Sequence, residues 1–335
     1  MYNYHIMTVI PQQGDKVLWI RFSAFGDVLQ AAAASRRFKL KYPGARLTFL
    51  TKPAYADIIS KQPYIDDVIT WDVSKNPSGF FKTAAKIRAS GFKYLFSMHR
   101  GFAAALTAVT SGTPLRFGYN SSAQFFYKTT HWEYLDNLGV DFKDRSEPSI
   151  FADAGDTEWA RRKLLSLPAK KLFVIIGASQ SQKLWPAGHW TDFLRPLISE
   201  NWGVVLNGFG SSEARIAREI KSALGDSLVL DMTELNATFA QTAAIAKECA
   251  ASIGNDTGPL HLAALTGTPT LGLFGVTDAW SMNLRMPNFR EVRVSCPKAG
   301  CWNYRCPIEC LADISPQRAL AAFRNMETEV IKLPL

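Results

Sequence analysis

Residues 252–275 read SIGNDTGPLHLAALTGTPTLGLFG, and the fold class can be inferred from this segment. A short apolar run is followed by the polar corner Asn255–Gly258, a helical segment of small residues and a second apolar run that ends at Gly275. Two buried strands joined by a helix predict a parallel β-α-β unit. The polar corner then lies at the carboxyl end of a strand, where ligands of such sheets bind.

The same alternation of apolar runs and helical segments extends along the chain on both sides of this stretch. Strands of the first half are predicted at KVLWIRF (16–22), ARLTFLT (45–51), IDDVITWD (65–72) and KYLFSMH (93–99). The second half repeats the plan, from the strand KKLFVIIGAS (170–179) to a last helix within 315–333. Strands that alternate with helices predict an α/β fold with parallel sheets.

The length of the chain, 335 residues, favours two domains over one. The polar segment 151–171 reads as the hinge between the two repeats of the strand–helix plan. We therefore predict an N-terminal domain at 1–165 and a C-terminal domain at 166–335. Whether the last helix packs back on the N-terminal domain is left open.

The chain is basic, with a formal net charge of +9 and a hydrophobic content of 47%. Its Lys and Arg residues form no long run, so we expect no nucleic-acid partner. A polyanionic small molecule or a lipid headgroup agrees better with this charge. We see no signal peptide and no membrane-spanning run, which predicts a cytoplasmic protein, with peripheral contact to the inner face of the inner membrane left open.

Four of the five cysteines cluster near the end of the chain, at Cys296, Cys301, Cys306 and Cys310, while Cys249 stands alone. Their spacing is looser than the Cys-x2-Cys pairs of a zinc ribbon. We interpret the cluster as a structural clip rather than a catalytic centre. Whether these thiols bind a metal, pair or stay reduced is left open.

The corner Asp256-Thr257-Gly258 precedes a helix, whose first N–H groups have no partner within the helix. Such a helix start attracts anions, and Gly258 permits their close approach. Thr257 adds a hydroxyl donor, and His261 follows one turn later. The alternative is that Asp256 or Thr257 merely caps the helix and His261 is a core residue.

Three other strand ends carry residues that suit a nucleotide sugar. Lys183 lies in a Ser- and Gln-rich loop before Trp185-Pro186, where its charge can neutralise a diphosphate. Glu213 follows GFGSS early in a helix and is a candidate for ribose hydroxyls. In the first half, Asp27 follows a strand at a helix start and is a candidate general base for a sugar hydroxyl.

These residues lie in motifs that resemble one family, the ADP-heptose:lipopolysaccharide heptosyltransferases of glycosyltransferase family 9. The segment GNDTGPLHLAALTGTPTLGLFGVTD resembles their Asp-[Ser/Thr]-Gly-x-x-His-x-x-Ala donor motif, and RFSAFGDVLQAAAA resembles their opening Gly-Asp motif. QKLWPAGHW is similar to their Lys-x-Trp-Pro element. The segments PYIDDVITWD, SMHRGFAAALTAVTSGTPLRFGY and CWNYRCPIECLADISPQ are also similar, so the resemblance covers nearly the whole chain.

The resemblance implies a GT-B fold, in which two Rossmann-like domains face each other across a cleft. It implies an inverting enzyme, independent of metal and cofactor, that moves heptose from an ADP-sugar to the inner core of lipopolysaccharide, a phosphorylated, lipid-linked saccharide. Asp27 would be the base. The residues implied to hold the donor are Ser179, Lys183, Glu213, Asp256, Thr257, Gly258 and His261, and those implied for the acceptor are Arg100 and Arg116.

Other functions stay open on the sequence alone. The same family includes the possibility of another nucleotide sugar or an acceptor other than lipopolysaccharide. A non-catalytic nucleotide-sugar binding protein and a sugar-nucleotide epimerase of similar fold are alternatives of other kinds. Asp27→Ala would leave a binding protein intact, whereas a transferase would keep its affinity for the ADP-sugar and lose transfer. An epimerase would show its activity with the donor alone.

Overall fold

The computed structural model describes residues 9–71, 78–118, 129–225 and 227–331. It divides the chain into two compact units, Met1–Asp144 and Arg145–Leu335. Each unit is built around one parallel sheet of six strands, which confirms the predicted α/β fold. No helix among the described residues is long and apolar enough to cross a membrane.

The first unit alternates strands with helices along the chain. Its strands are β1 (Lys16–Ile20), β2 (Arg46–Thr51), β3 (Asp67–Thr70), β4 (Tyr94–Ser97), β5 (Leu115–Gly118) and β6 (Thr129–Thr130). Its helices are α1 (Phe25–Lys41), α2 (Pro53–Ser60), α3 (Gly79–Ser90), α4 (Phe102–Thr110) and α5 (His131–Asn137). The strand order is β3-β2-β1-β4-β5-β6. The direction in which successive strands are added to the sheet therefore reverses between β1 and β4.

Alternate side chains of β1 pack on opposite faces of the first sheet. Leu18 and Ile20 lie in a buried cluster with Ile87 of α3 and Ala104 of α4. Trp19 faces the other way, with its ring 5.9 Å from that of Phe38 on α1. Both faces are therefore covered by helices, which explains why the strand reads as a continuous apolar run.

The second unit repeats this plan. Its strands are β7 (Lys171–Ile175), β8 (Gly203–Asn207), β9 (Val229–Asp231), β10 (Ala251–Asn255), β11 (Thr270–Phe274) and β12 (Phe289–Arg293). Its helices are α6 (Ala154–Leu164), α7 (Ala187–Ser199), α8 (Ser211–Leu224), α9 (Phe239–Glu248), α10 (Gly258–Leu265) and α11 (Pro316–Met326). The strand order is β12-β11-β10-β7-β8-β9. The direction in which strands are added to this second sheet therefore reverses between β7 and β10.

The core of the second unit explains the position of the last helix. Phe323 of α11 contacts the rings of Phe193 on α7 and Trp202 before β8. Arg324 of α11 pairs with Glu200 at the end of α7. Helix α11 is thus part of the second unit, a point that the sequence alone leaves open.

The boundary between the units lies before the segment predicted as the hinge. That segment contains α6, which begins where the Asp153 side chain accepts a hydrogen bond from Asp156 N at 2.7 Å. Helix α6 packs on α9 of the second unit, and Ser149 N donates to Leu265 O at 2.8 Å. The contacts therefore divide the chain between Asp144 and Arg145, rather than near Leu165.

Candidate active site

Asp256 is buried where β10 ends, and it joins three neighbouring segments of the second unit. Its Oδ2 atom lies 2.6 Å from Lys183 Nζ in the loop after β7 and accepts a hydrogen bond of 2.6 Å from Thr277 Oγ1 after β11. Its Oδ1 atom lies 3.7 Å from Nε2 of His261 on α10. The Asp256 side chain is only 2% exposed and that of Lys183 13%, so water weakens this ion pair little.

The surroundings of Asp256 keep its carboxyl ionised. Burial alone raises the pKa of this carboxyl. The nearby imidazole of His261 and the charge of Lys183 more than offset burial, so the pKa lies well below its ordinary value. The fixed negative charge in turn holds the Lys183 ammonium at the carboxyl edge of the sheet.

Asn255 orients the loop that carries Lys183. Its Nδ2 atom donates to Ile176 O at 2.8 Å, and its Oδ1 accepts from Trp185 N at 3.3 Å. The Trp185 ring is buried, and its Nε1 donates to Ile314 O at 2.8 Å. Asn255 and Thr277 are not among the predicted site residues, although both stand at predicted strand ends, which is the signal that could have found them.

The start of α10 has the features of an anion site. Thr257 is the residue before the helix, and its backbone is extended, with φ −144° and ψ 174°. Its hydroxyl oxygen is buried and makes no hydrogen bond within the described residues. Pro259 has no N–H group, and those of Leu260 and His261 donate to Thr257 O. The Gly258 N–H and the unsatisfied Thr257 hydroxyl follow Asp256, which pairs with Lys183, and these three donors can together bind a diphosphate oxygen.

Glu213 lies between the ends of β7 and β8. It accepts a hydrogen bond from Phe209 N, and a methyl group added to Gly177 would overlap with its Oε1 atom. Burial raises the pKa of Glu213, and the backbone N–H groups of Phe209 and Ala178 oppose that rise. Ser179, also a predicted donor residue, is exposed in the loop after β7.

In the first unit, Asp27 lies in the first turn of α1 and pairs with Arg21, which follows β1. Its Oδ2 atom also accepts from Ala24 N at 3.1 Å. The Asp27 side chain is 46% exposed, so solutes reach the carboxylate. Arg21, which the sequence did not single out, also donates to Met98 O and so ties the end of β1 to that of β4.

His99 follows β4 in the same neighbourhood. Burial and the charge of Arg21 lower its pKa to about 4, although Asp27 acts in the opposite direction. His99 is therefore neutral at physiological pH. The two predicted acceptor residues differ in setting: Arg100 is exposed just after His99, and Arg116 lies in β5 with its Nη1 donating to Thr113 O at 2.7 Å.

The cysteine-rich segment lies against the strand ends of the second unit. Gly300 N donates to Gly275 O and Trp302 N to Val276 O, both at 2.8 Å. Gln182 Nε2 donates to Cys306 O at 3.0 Å, next to Lys183. All five cysteines are free thiols, and no three His, Cys, Asp or Glu side chains in the described parts of the chain are arranged as a metal site.

Sequence comparisons with known proteins identify the family of the chain. The family model of "Glycosyltransferase family 9 (heptosyltransferase)" matches residues 80–312, more than half of the chain. Lipopolysaccharide heptosyltransferase 1 of Pseudomonas aeruginosa is 25% identical over 285 residues, which are 78% of this chain and 79% of that protein. Lipopolysaccharide heptosyltransferase 2 of Escherichia coli is 22% identical over 91% of this chain and 96% of its own length.

Solved structures show the same fold. A glycosyl transferase family 9 structure from Veillonella parvula superposes with a TM-score of 0.84 at 17% identity, covering 96% of this chain and 99% of that one. The E. coli ADP-heptose lps heptosyltransferase II gives a TM-score of 0.74 at 20% identity, over 93% and 98% of the two chains. The chain belongs to glycosyltransferase family 9, the heptosyltransferase family, and is a glycosyltransferase of GT-B fold.

Proposed function

We propose that this enzyme transfers a heptose from an ADP-heptose donor to the inner core of lipopolysaccharide, with inversion at the anomeric carbon and without a metal ion. Two relatives that act on lipopolysaccharide support the acceptor class by their names. A solved structural neighbour, the E. coli heptosyltransferase WaaC, is described with ADP-2-deoxy-2-fluoro heptose. The proposal adds the identity of the donor and that of the acceptor to the family membership of the chain.

The observation that carries the proposal is the Lys183–Asp256 ion pair beside the start of α10. A glycosyl donor loses its diphosphate with the bonding electrons, so negative charge develops on the leaving oxygen. In our proposal Lys183, the Thr257 hydroxyl and the Gly258 N–H stabilise that charge. Because Asp256 is itself anionic, we assign it the role of positioning Lys183 and His261 rather than of contacting the diphosphate.

Asp27 is proposed as the general base. It takes the proton from the acceptor hydroxyl while that oxygen forms its bond to the anomeric carbon, and the bond from that carbon to the diphosphate breaks. Arg21 pairs with the carboxylate and holds its orientation until the acceptor binds. Arg100 and Arg116 remain proposed contacts for acceptor phosphates, in keeping with the cationic balance of the chain.

Glu213 is proposed to bind the adenosine ribose, with Ser179 contacting the phosphates. The Glu213 carboxylate accepts hydrogen bonds from backbone N–H groups, and its remaining lone pairs can accept one from a ribose hydroxyl. The alternative within the same family is a donor other than ADP-heptose. Such a nucleotide sugar would use the same diphosphate contacts, and its nucleobase would differ. Donor choice therefore discriminates between the two.

The test is a transfer assay with the full-length chain and a deacylated inner-core acceptor. ADP-heptose is compared with UDP- and GDP-sugars, and product mass and nucleoside diphosphate release are both followed. We expect product and ADP release only with ADP-heptose. Transfer from a UDP- or GDP-sugar alone would overturn the proposed donor, and donor hydrolysis without an acceptor product would overturn the proposed acceptor.

A further inference from the structure

The positive charge of the chain is concentrated in one segment. Residues 73–132 contain eight Lys or Arg residues and no Asp or Glu, so their formal charge is +8. The formal net charge of the whole chain is +9. Two described helices, α3 and α4, lie within this segment. Lys93 of this segment is paired with Asp15, while the cations of α3 lie on the surface, where they attract anions.

Helices α3 and α4 are neighbours on one face of the first sheet. Ile87 of α3 and Ala104 and Ala108 of α4 share one buried cluster. Both helices follow strands of a parallel sheet, so both begin at its carboxyl edge, as does α1 with Asp27. The first turns of α3 and α4 are therefore on the same side of the unit as the proposed base.

Large aromatic side chains project from both of these first turns. Phe81 of α3 is 77% exposed and Phe102 of α4 is 70% exposed. Lys82, Lys86 and Arg88 of α3 are exposed as well. We call these five residues, Phe81, Lys82, Lys86, Arg88 and Phe102, the α3–α4 surface. Exposed aromatic rings set among cations are typical of proteins that bind at a membrane interface.

A groove runs beside this surface. It has a volume of about 480 Å³ and lies between the end of β3 and α3, with Trp71, Lys82 and Lys86 among its lining residues. Two ammonium groups beside an indole ring suit a phosphate headgroup with apolar chain atoms next to it.

We infer that the α3–α4 surface docks on an anionic phospholipid bilayer, with Phe81 and Phe102 inserted among the lipids and the three cations at the headgroup phosphates. The inference rests on the proposed function, because a lipid-linked acceptor is presented at a membrane. Docking through this surface brings the side of the first unit that carries Asp27 towards that acceptor. Charge complementarity selects anionic lipid over zwitterionic lipid.

Vesicle co-sedimentation of the full-length chain tests the inference. Vesicles of phosphatidylcholine alone are compared with vesicles of equal parts phosphatidylcholine and phosphatidylglycerol, with and without added salt. We expect binding to the anionic vesicles only, reduced by salt. Phe81→Ser/Phe102→Ser and Lys82→Glu/Lys86→Glu are each expected to weaken partitioning about tenfold or more.

Matched controls lie in the second unit. Leu165 is 79% exposed, and Arg162 and Lys163 are neighbouring exposed cations. Leu165→Ser and Arg162→Glu/Lys163→Glu are expected to partition like the wild type. Equal binding to both vesicle types, no binding to either, or equal losses in the control variants would overturn the inference.

Transfer to a deacylated acceptor separates this inference from the proposed function. Phe81→Ser/Phe102→Ser is expected to keep wild-type rates on that lipid-free acceptor and to lose rate on the acylated acceptor in vesicles. Equal loss on both acceptors would contradict docking as the role of the two rings. Absence of transfer by the wild type would defeat the proposed function, while the vesicle measurement would still decide the docking surface.

Discussion

Lys183 Nζ and Asp256 Oδ2 lie 2.6 Å apart, although 73 positions separate them in sequence. Asp256 is almost fully buried, and Thr277 and His261 complete its surroundings. One carboxylate thereby joins the loop after β7, the segment after β11 and helix α10. The arrangement explains how a loop lysine becomes a positioned cation beside a helix start.

Lys183→Met leaves the buried Asp256 without its main counter-charge. We expect the free energy of unfolding to fall by about 3 kcal/mol, because an uncompensated buried charge is costly. Denaturant unfolding measures this. The double variant Lys183→Met/Asp256→Asn is expected to recover part of the loss, and Arg215→Met, which breaks the exposed pair with Glu219, to cost about 0.5 kcal/mol or less. A Lys183→Met loss no larger than the Arg215→Met loss would contradict the buried pair.

Thr257→Val removes a buried hydroxyl that has no hydrogen-bond partner among the described residues. We expect unchanged or slightly increased stability, because no hydrogen bond is lost, and donor affinity lowered about tenfold. Calorimetric titration with an ADP-sugar and thermal unfolding provide the two measurements. Thr268→Val is the control: its hydroxyl donates to Ala246 O at 2.8 Å, so it should lose about 1 kcal/mol of stability and keep donor affinity. The reverse pattern would exclude Thr257 from the donor site.

Gly177→Ala acts through Glu213. A methyl group at residue 177 would overlap with Glu213 Oε1, so the carboxylate has to move. We expect Gly177→Ala and Glu213→Ala each to raise the KM for the ADP-sugar about tenfold, with kcat less affected. The double variant should be no worse than Glu213→Ala alone, since both changes remove the same contact. Additive effects would show that Gly177 acts independently of Glu213.

His99 gives the first unit a pH dependence. Its pKa is about 4 in the folded chain against 6.5 ordinarily, so between these values the unfolded chain binds a proton that the folded chain does not. The contribution of His99 to the free energy of unfolding is therefore fully present above pH 6.5. It falls as the pH drops towards 4, by up to about 3 kcal/mol. Urea unfolding at both ends of this window should show a smaller fall for His99→Gln than for the wild type. Identical falls would contradict a neutral, half-buried His99.

The α/β architecture was predictable because both faces of each sheet are covered. Buried parallel strands such as β1 and β7 are nearly continuous apolar runs, and the helices that follow such strands indicate the crossovers. Elements that do not share this signal were missed. Strand β12 has charged residues at three of its five positions and lies at a sheet edge, and α2 has only eight residues, beginning at Pro53.

The candidate site was predictable as a set of strand ends, but its pairing was not. Sequence spacing identifies Lys183 and Asp256 as residues at the same sheet edge, yet it does not reveal that the carboxylate turns inward to meet the lysine. The Arg21–Asp27 pair depends likewise on how the end of β1 meets that of β4. Such pairings arise from tertiary packing, which local patterns do not encode.

Asp27→Asn probes the proposal that Asp27 is the base of the transfer reaction. The variant keeps the size of the side chain and one of its two acceptor oxygens, and it removes the basicity of the carboxylate. Asp67→Asn, which loses an exposed pair with Arg46 in the same unit, is the control and should transfer at the wild-type rate.

The decisive measurement is the single-turnover rate of transfer from ADP-heptose to a deacylated acceptor, made alongside donor affinity. We predict that Asp27→Asn binds ADP-heptose as the wild type does and transfers at least about a hundredfold more slowly, the scale of a lost general base. Transfer by Asp27→Asn at a rate near that of the wild type would show that another group removes the proton.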